Sequence, residues 1–176
     1  MTRRELFTIL TALVLSPVLK ALEFSVFPAV NRPDFLTVLA VTIGLSCNGW
    51  VALPGGFLIG LLEDLTILRA PGARAVSLAV AAATASSLRR FLSPEALPSR
   101  VLIALLGNLA GDLTCYGLLR LMDIRIGFQY FGTVLGFSLV WSAAALLPVG
   151  FVVKRVVNLI FALFPDDSDQ DRRAWA

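Results

Sequence analysis

Val101 to Leu106 is apolar on every side and Val76 to Ala83 is so but for Ser77, and runs of this kind recur between short polar breaks along the whole chain. Several approach the roughly 20 residues that a helix needs to cross a hydrocarbon core about 30 Å thick. A membrane barrel would instead alternate apolar and polar positions in segments of about 10 residues, which these runs do not. Composition agrees: 57% of the residues are hydrophobic, 15% are charged, and the mean hydropathy is +0.83. A soluble domain carries about 25% charged residues. The expected fold is therefore an all-α integral membrane protein, a bundle of about six transmembrane helices.

The first run follows Arg3, Arg4 and Glu5 and extends from Leu6 to about Leu19, with Lys20 and Glu23 beyond it. No small-x-small cleavage site follows, so it reads as an uncleaved anchor. The second, Phe35 to about Ser46, enters a tight hairpin at Cys47, Asn48, Gly49 and Trp50, where a turn signal meets an interfacial aromatic. The third, Val51 to Leu68, carries Glu63 and Asp64 in its later half and is broken by Ala70, Pro71 and Gly72. The fourth spans Val76 to Leu88 and stops at Arg89 and Arg90, before a polar loop with Pro94, Glu95, Pro98 and Arg100. The fifth covers Val101 to Leu119. The sixth lies within Phe131 to Val153, closing on Lys154 and Arg155, and Val156 to Phe164 reads equally as its extension or as an interfacial helix. Residues 1–164 thus form one polytopic domain, and 165–176 a solvated cytoplasmic tail.

Basic residues accumulate in short cytoplasmic loops. An internal start places nine of the 15 on the cytoplasmic face (Arg3, Arg4, Arg89, Arg90, Arg100, Lys154, Arg155, Arg172, Arg173) and six on the other (Lys20, Arg32, Arg69, Arg74, Arg120, Arg125). Both termini are expected in the cytoplasm. The net charge of +3 does not indicate nucleic acid, because the basic residues sit at membrane edges and no basic stripe interleaves with aromatics. Cys47 and Cys115 fall at different depths, so both are expected as free thiols.

Nothing in the sequence supplies catalytic chemistry. Histidine is absent, which removes the usual proton shuttle and the commonest metal ligand, and no phosphate loop or zinc pattern occurs. No enzyme activity and no cofactor are expected. An ionisable residue within a span costs several kcal/mol and is a functional hypothesis by default. Asp112 lies about 18 Å along the fifth helix from Arg100, near the bilayer middle. Asn108 is one turn earlier on the same face, beside a groove of Gly107 and Gly111 where another backbone can approach. The third run repeats the design, with Gly56, Gly60 and Asp64 on one stripe and Glu63 pointing elsewhere. Asp64 and Asp112 are placed to face one cavity, against the alternative that these carboxylates bond neighbouring helices or snorkel to the interface. Snorkelling is the favoured reading for Glu63 and Asp64. Ala75, Ala79, Ala83 and Ser87 form a small stripe on the fourth helix, and Gly132 and Gly136 begin one on the sixth. Internal packing is the favoured reading for both stripes.

The order of these features resembles the bacterial rod shape-determining protein MreD family. Pro33 and Asp34 open a span with Phe35 and Leu36, a short polar turn follows, and Gly-Phe-Leu-x-Gly-Leu-Leu-x-Asp-Leu runs from Gly56 to Leu65. The loop and small-residue helix from Ala70 to Ser87 and the basic turn at Arg89 and Arg90 follow in the family's order. The chain departs from the pattern at Pro54 and Gly55, and at Gly72 and Ala73.

The resemblance implies a bacterial inner-membrane scaffold of the cell-elongation complex that makes peptidoglycan. Its implied partners are an MreC-like single-span periplasmic protein, a SEDS glycosyltransferase, its transpeptidase and MreB. It also implies that the glycine grooves receive a neighbour's transmembrane helix, with polar residues such as Asn108 and Asp112 fixing register or lining a pocket. The alternative is a substrate-binding membrane subunit of an energy-coupling-factor vitamin transporter, whose six-helix fold the family is thought to share. Asp64 and Asp112 would then hold a small ligand, although the first run offers only Ala12 and Ser16 as a small-residue pair for the energising partner.

Overall fold

The computed structural model describes residues 2–26, 34–67, 71–92, 96–123 and 128–163, which form six helices. These are α1 (Arg3–Val26), α2 (Phe35–Ser46), α3 (Gly49–Ile67), α4 (Ala73–Leu88), α5 (Leu97–Leu121) and α6 (Phe128–Leu163). The tail expected at 165–176 lies outside the described residues.

The bundle is organised around α4. Nearly half of this helix is alanine, which is both the strongest helix former and the thinnest side chain that still packs. It packs against α2, α3 and α5, and each of these turns glycines toward it. A Cβ built on Gly44 of α2 would lie 2.4 Å from the Ala82 carbonyl oxygen; on Gly56 of α3, 2.5 Å from the Leu78 carbonyl oxygen; on Gly60, 2.5 Å from the Ala75 Cα. On α5, Gly107 and Gly111 meet Ala81, Ala85 and Ser77 at 3.1–3.6 Å. Lipid tails are as apolar as leucine, so close backbone approach and dispersion hold such helices together rather than escape from water. Helix α1 closes the bundle over α2, α3 and α6 through Ile9 and Ala12, and α6 packs on α5, α2 and α1 through Leu146, Val149 and Val153.

Among the described residues, three helical segments are long and apolar enough to cross a membrane by themselves: Arg3–Ser25, Leu97–Leu121 and Ser138–Leu159. The expected all-α fold of six helices is present, and three of the six meet that length and hydropathy by themselves. At 1.5 Å per residue, α2 with 12 residues is about 18 Å long and α4 with 16 is about 24 Å, both short of the roughly 30 Å core. Short helices are tolerated here because their ends meet protein rather than lipid. At one end the chain turns from α2 to α3 through Cys47 and Asn48. Glu5 accepts from the Asn48 amide at 3.0 Å, Ser86 Oγ donates to the Cys47 carbonyl at 3.2 Å, and Arg89 donates to the Leu45 carbonyl at 2.9 Å. These bonds satisfy backbone groups that the end of α2 leaves open.

Boundaries differ from the sequence reading for definable reasons. Helix α1 continues past Leu19 to Val26 because Lys20 and Glu23, one turn apart, pair with each other at 3.2 Å. Helix α5 starts at Leu97 rather than Val101, since Pro98 in its first turn lacks only an amide that has no partner there anyway. Helix α6 runs through Lys154 and Arg155 without a break, so Val156 to Leu163 extends it. Its 36 residues measure about 54 Å, more than the roughly 40–45 Å of a whole bilayer. Cys47 and Cys115 are both free thiols.

Candidate functional site

At the end of the bundle opposite the Cys47 turn, α1, α3 and α5 finish and α2 and α4 begin, and charged side chains from four of these helices join into one network. Asp34 is the N-cap of α2, where its carboxylate accepts the Thr37 amide at 3.1 Å. Its other oxygen accepts from Arg74, in the first turn of α4. Arg74 Nε donates to Glu63 at 3.1 Å, and the other Glu63 oxygen accepts from Lys20 Nζ of α1 at 2.8 Å. Lys20 also pairs with Glu23. Arg74 therefore ties α2 to α3 and α4, and Lys20 ties α1 to them. Arg suits the central place because its planar fork holds two carboxylates at fixed angles.

Asp64 has a separate task. Gly72, which precedes α4, has no side chain to cap the helix and adopts φ +90°, a conformation that favours glycine. Asp64 supplies the cap from α3: its carboxylate accepts from the amides of Gly72 at 3.0 Å, Arg74 at 3.3 Å and Ala75 at 2.9 Å. Three otherwise open amides at the positive end of the helix dipole are thus satisfied by one anion.

The snorkelling reading of Glu63 and Asp64 is corrected: they are 3% and 7% exposed and bonded inside the bundle. Glu63 does point elsewhere than the Gly56, Gly60 and Asp64 stripe, as expected: it bonds the Lys20 and Arg74 side chains, whereas Asp64 bonds the α4 amides. Asp64 commits its carboxylate to the α4 amides. The charged neighbours of Asp112 are Asp34 and Arg74, with Cys115 also beside Arg74. Asp112 is half-buried, and among the described residues its Oδ2 atom has no hydrogen-bond partner. Asn108, fully buried one turn earlier, donates to Ser138 Oγ of α6 at 3.0 Å.

The glycine grooves are corrected as well. Gly56, Gly60, Gly107 and Gly111 face α4 of the same chain, so no neighbour's helix enters there, and Ala75 is buried against Gly60. Ala79 and Ala83 line an open apolar groove of about 560 Å³ between α3 and α4. Among the described residues, a Cβ on Gly132 or Gly136 would meet nothing within 4 Å, so packing inside the described bundle does not account for these two. With Val140, Ala144 and Pro148 they form an exposed stripe at four-residue spacing along α6.

Lys20, Glu23, Arg74 and Ser138 escaped the sequence reading as members of these networks. Lys20 and Arg74 resembled interfacial charges at span ends. The available signal was the number of acidic residues, Asp34, Glu63 and Asp64, that buried helix ends would have to neutralise. No group of three His, Cys, Asp or Glu side chains among the described residues is placed to hold a metal ion. What the arrangement does chemically is fix four helix ends relative to one another by charge-assisted hydrogen bonds.

The family model described as rod shape-determining protein MreD matches residues 2–163 of the chain. No curated protein and no solved structure gives a significant match.

Proposed function

The chain belongs to the rod shape-determining MreD family, with the role in cell shape that this membership carries, and from that premise we propose that it is a non-catalytic, multi-pass scaffold of the bacterial inner membrane. Its six helices cross or enter the bilayer with both termini in the cytoplasm, and it binds the transmembrane part of an MreC-like partner within the peptidoglycan-synthesising elongation complex. A SEDS glycosyltransferase, its transpeptidase and MreB are the further partners.

The observation that carries this reading is how this chain's own polar and glycine positions are used. Asp34, Glu63 and Asp64 bind helix ends of their own chain, and Gly56 and Gly60 pack on α4. These residues build a rigid platform. An Asp64 carboxylate already bonded to three amides of its own chain argues against the transporter alternative, which would need it for a ligand. Partner binding then falls to an outward face, and the small-residue stripe of Gly132, Gly136, Val140 and Ala144 on α6 offers a partner's helix close backbone approach. Asn108 and Ser138 fix the rotation of α6 that presents this stripe.

Affinity purification of the tagged protein from native membranes in mild detergent, with mass spectrometry of what stays bound, tests the proposal. A single-span periplasmic protein and cell-wall synthases should be retained, and Gly132→Leu with Gly136→Leu should release the single-span protein. Recovery of ATPase subunits and a coupling protein instead would overturn it.

A further inference from the structure

The open groove between α3 and α4 has no part in the scaffold role. Leu53 and Phe57 form one wall, and Val76, Ala79, Ala83 and Ser87 form floor and far wall, around a volume of about 560 Å³. From Val76 to Leu88 it runs 12 residues, about 18 Å at 1.5 Å per residue. That is close to one leaflet of a core about 30 Å thick and well short of what a spanning helix would occupy. The lining is apolar apart from the hydroxyls of Thr84 and Ser87, and Ser87 Oγ already donates to the Ala83 carbonyl at 2.9 Å.

The mouth of the groove at the Arg89–Arg90 turn has a different chemistry. Arg90 lies in the turn just past the end of α4, where its amide donates to the carbonyl of Ser87, a residue of the groove lining, at 3.1 Å. It is exposed, whereas Arg89 is committed to the Leu45 carbonyl. On the opposite wall Trp50, 91% exposed, precedes Leu53 by three residues and Phe57 by seven, so it continues their stripe to the mouth. A cation and an indole at the membrane surface, above an apolar slot one leaflet deep, match the parts of a phospholipid in order. We propose that this groove seats an acyl chain of an anionic glycerophospholipid, with its headgroup phosphate on Arg90 and its glycerol region against Trp50.

The test uses the full chain in lipid nanodiscs, with Trp141→Phe and Trp175→Phe so that Trp50 is the only tryptophan. Phosphatidylglycerol and phosphatidylcholine, each brominated in the upper acyl chain, are compared as quenchers of Trp50 fluorescence. One basic residue near an anionic surface contributes about 1 kcal/mol, so phosphatidylglycerol should quench at roughly fivefold lower mole fraction. Arg90→Gln should abolish that preference. Ala83→Leu, which fills the slot and leaves Arg90 in place, should abolish it too. Equal quenching by the two lipids overturns the proposal, as does a preference that survives Ala83→Leu, which would mark a surface charge effect alone. Shielding of Trp50 from both lipids would indicate a protein occupant, such as a second copy of the chain, and overturns it equally.

Discussion

Replacing Gly60 by alanine adds one methyl group at the tightest α3–α4 approach, and its cost follows from where that methyl would sit. Its Cβ would lie 2.5 Å from the Ala75 Cα and the Arg74 carbonyl oxygen and 2.8 Å from the Ala75 amide nitrogen. Ordinary contact begins near 3.4 Å, so the α4 backbone must retreat by about 0.9 Å (3.4 − 2.5), and no flexible side chain can yield in its place. The displaced atoms include the Ala75 amide that donates to Asp64 at 2.9 Å, so the move also stretches the cap of α4. Overpacking of this kind costs about 1–3 kcal/mol. Loss of one cap bond adds about 1 kcal/mol, and alanine returns roughly 1 kcal/mol through helix propensity. The net expectation for Gly60→Ala is a loss of about 1–3 kcal/mol. Gly111→Ala meets only the Ala81 Cβ at 3.1 Å and the Ser77 carbonyl at 3.2 Å, and should cost less than about 1 kcal/mol. Gly132→Ala meets nothing and should be neutral or stabilising by up to about 1 kcal/mol. Unfolding of the purified variants by graded denaturing detergent, followed by circular dichroism, ranks the three. Equal stability of Gly60→Ala and Gly132→Ala would refute the placement of α4 against α3.

Asp64→Ala should destabilise by about 2 kcal/mol or more, since three amides lose one shared acceptor; Asp64→Asn, which keeps one oxygen, should fall between it and the parent in the same titration. Glu63→Gln should cost about 3–5 kcal/mol because it leaves Lys20 and Arg74 short of a buried countercharge. Adding Lys20→Met should recover part of that loss, and a double-mutant cycle with a coupling energy near zero would count against the ion pair. Ser138→Ala should lose only about 0.6 kcal/mol, the usual size of an interhelical hydrogen bond in a membrane, while weakening partner retention if α6 rotates.

Much of this architecture was legible because apolar length and turn chemistry are local properties. Helix α2 begins at Phe35 and ends at Ser46 as the sequence indicates, since Asp34 caps one end and Cys47 and Asn48 force the turn at the other. The glycine stripes were legible as places of close approach, yet four-residue spacing says nothing about which helix arrives. That all four interior positions receive the alanine-rich α4 is a property of the packed bundle. The same limit explains Glu63 and Asp64. Their helix face was readable, but the direction of a carboxylate depends on cations and open amides brought from 8 to 43 residues away, namely Gly72, Arg74 and Lys20. Arg74 was hidden because a basic residue beside a short loop has the same local signature whether it snorkels or pairs. The reach of helix α6 was left open because Lys154 and Arg155 look like a span boundary, although a helix does not stop at charges when it has somewhere polar to go.

The interior glycines of this chain build a platform around α4, and the proposed partner docks outside it, on the α6 stripe. Photo-cross-linking in living cells tests this directly, with benzoylphenylalanine placed singly at Gly136 and Val140 on α6, and at Leu58 on α3 and Leu113 on α5, two other outward positions. Docking on α6 predicts a cross-link to a single-span periplasmic partner from positions 136 and 140 and none from 58 or 113. Cross-links confined to 58 or 113 would contradict it.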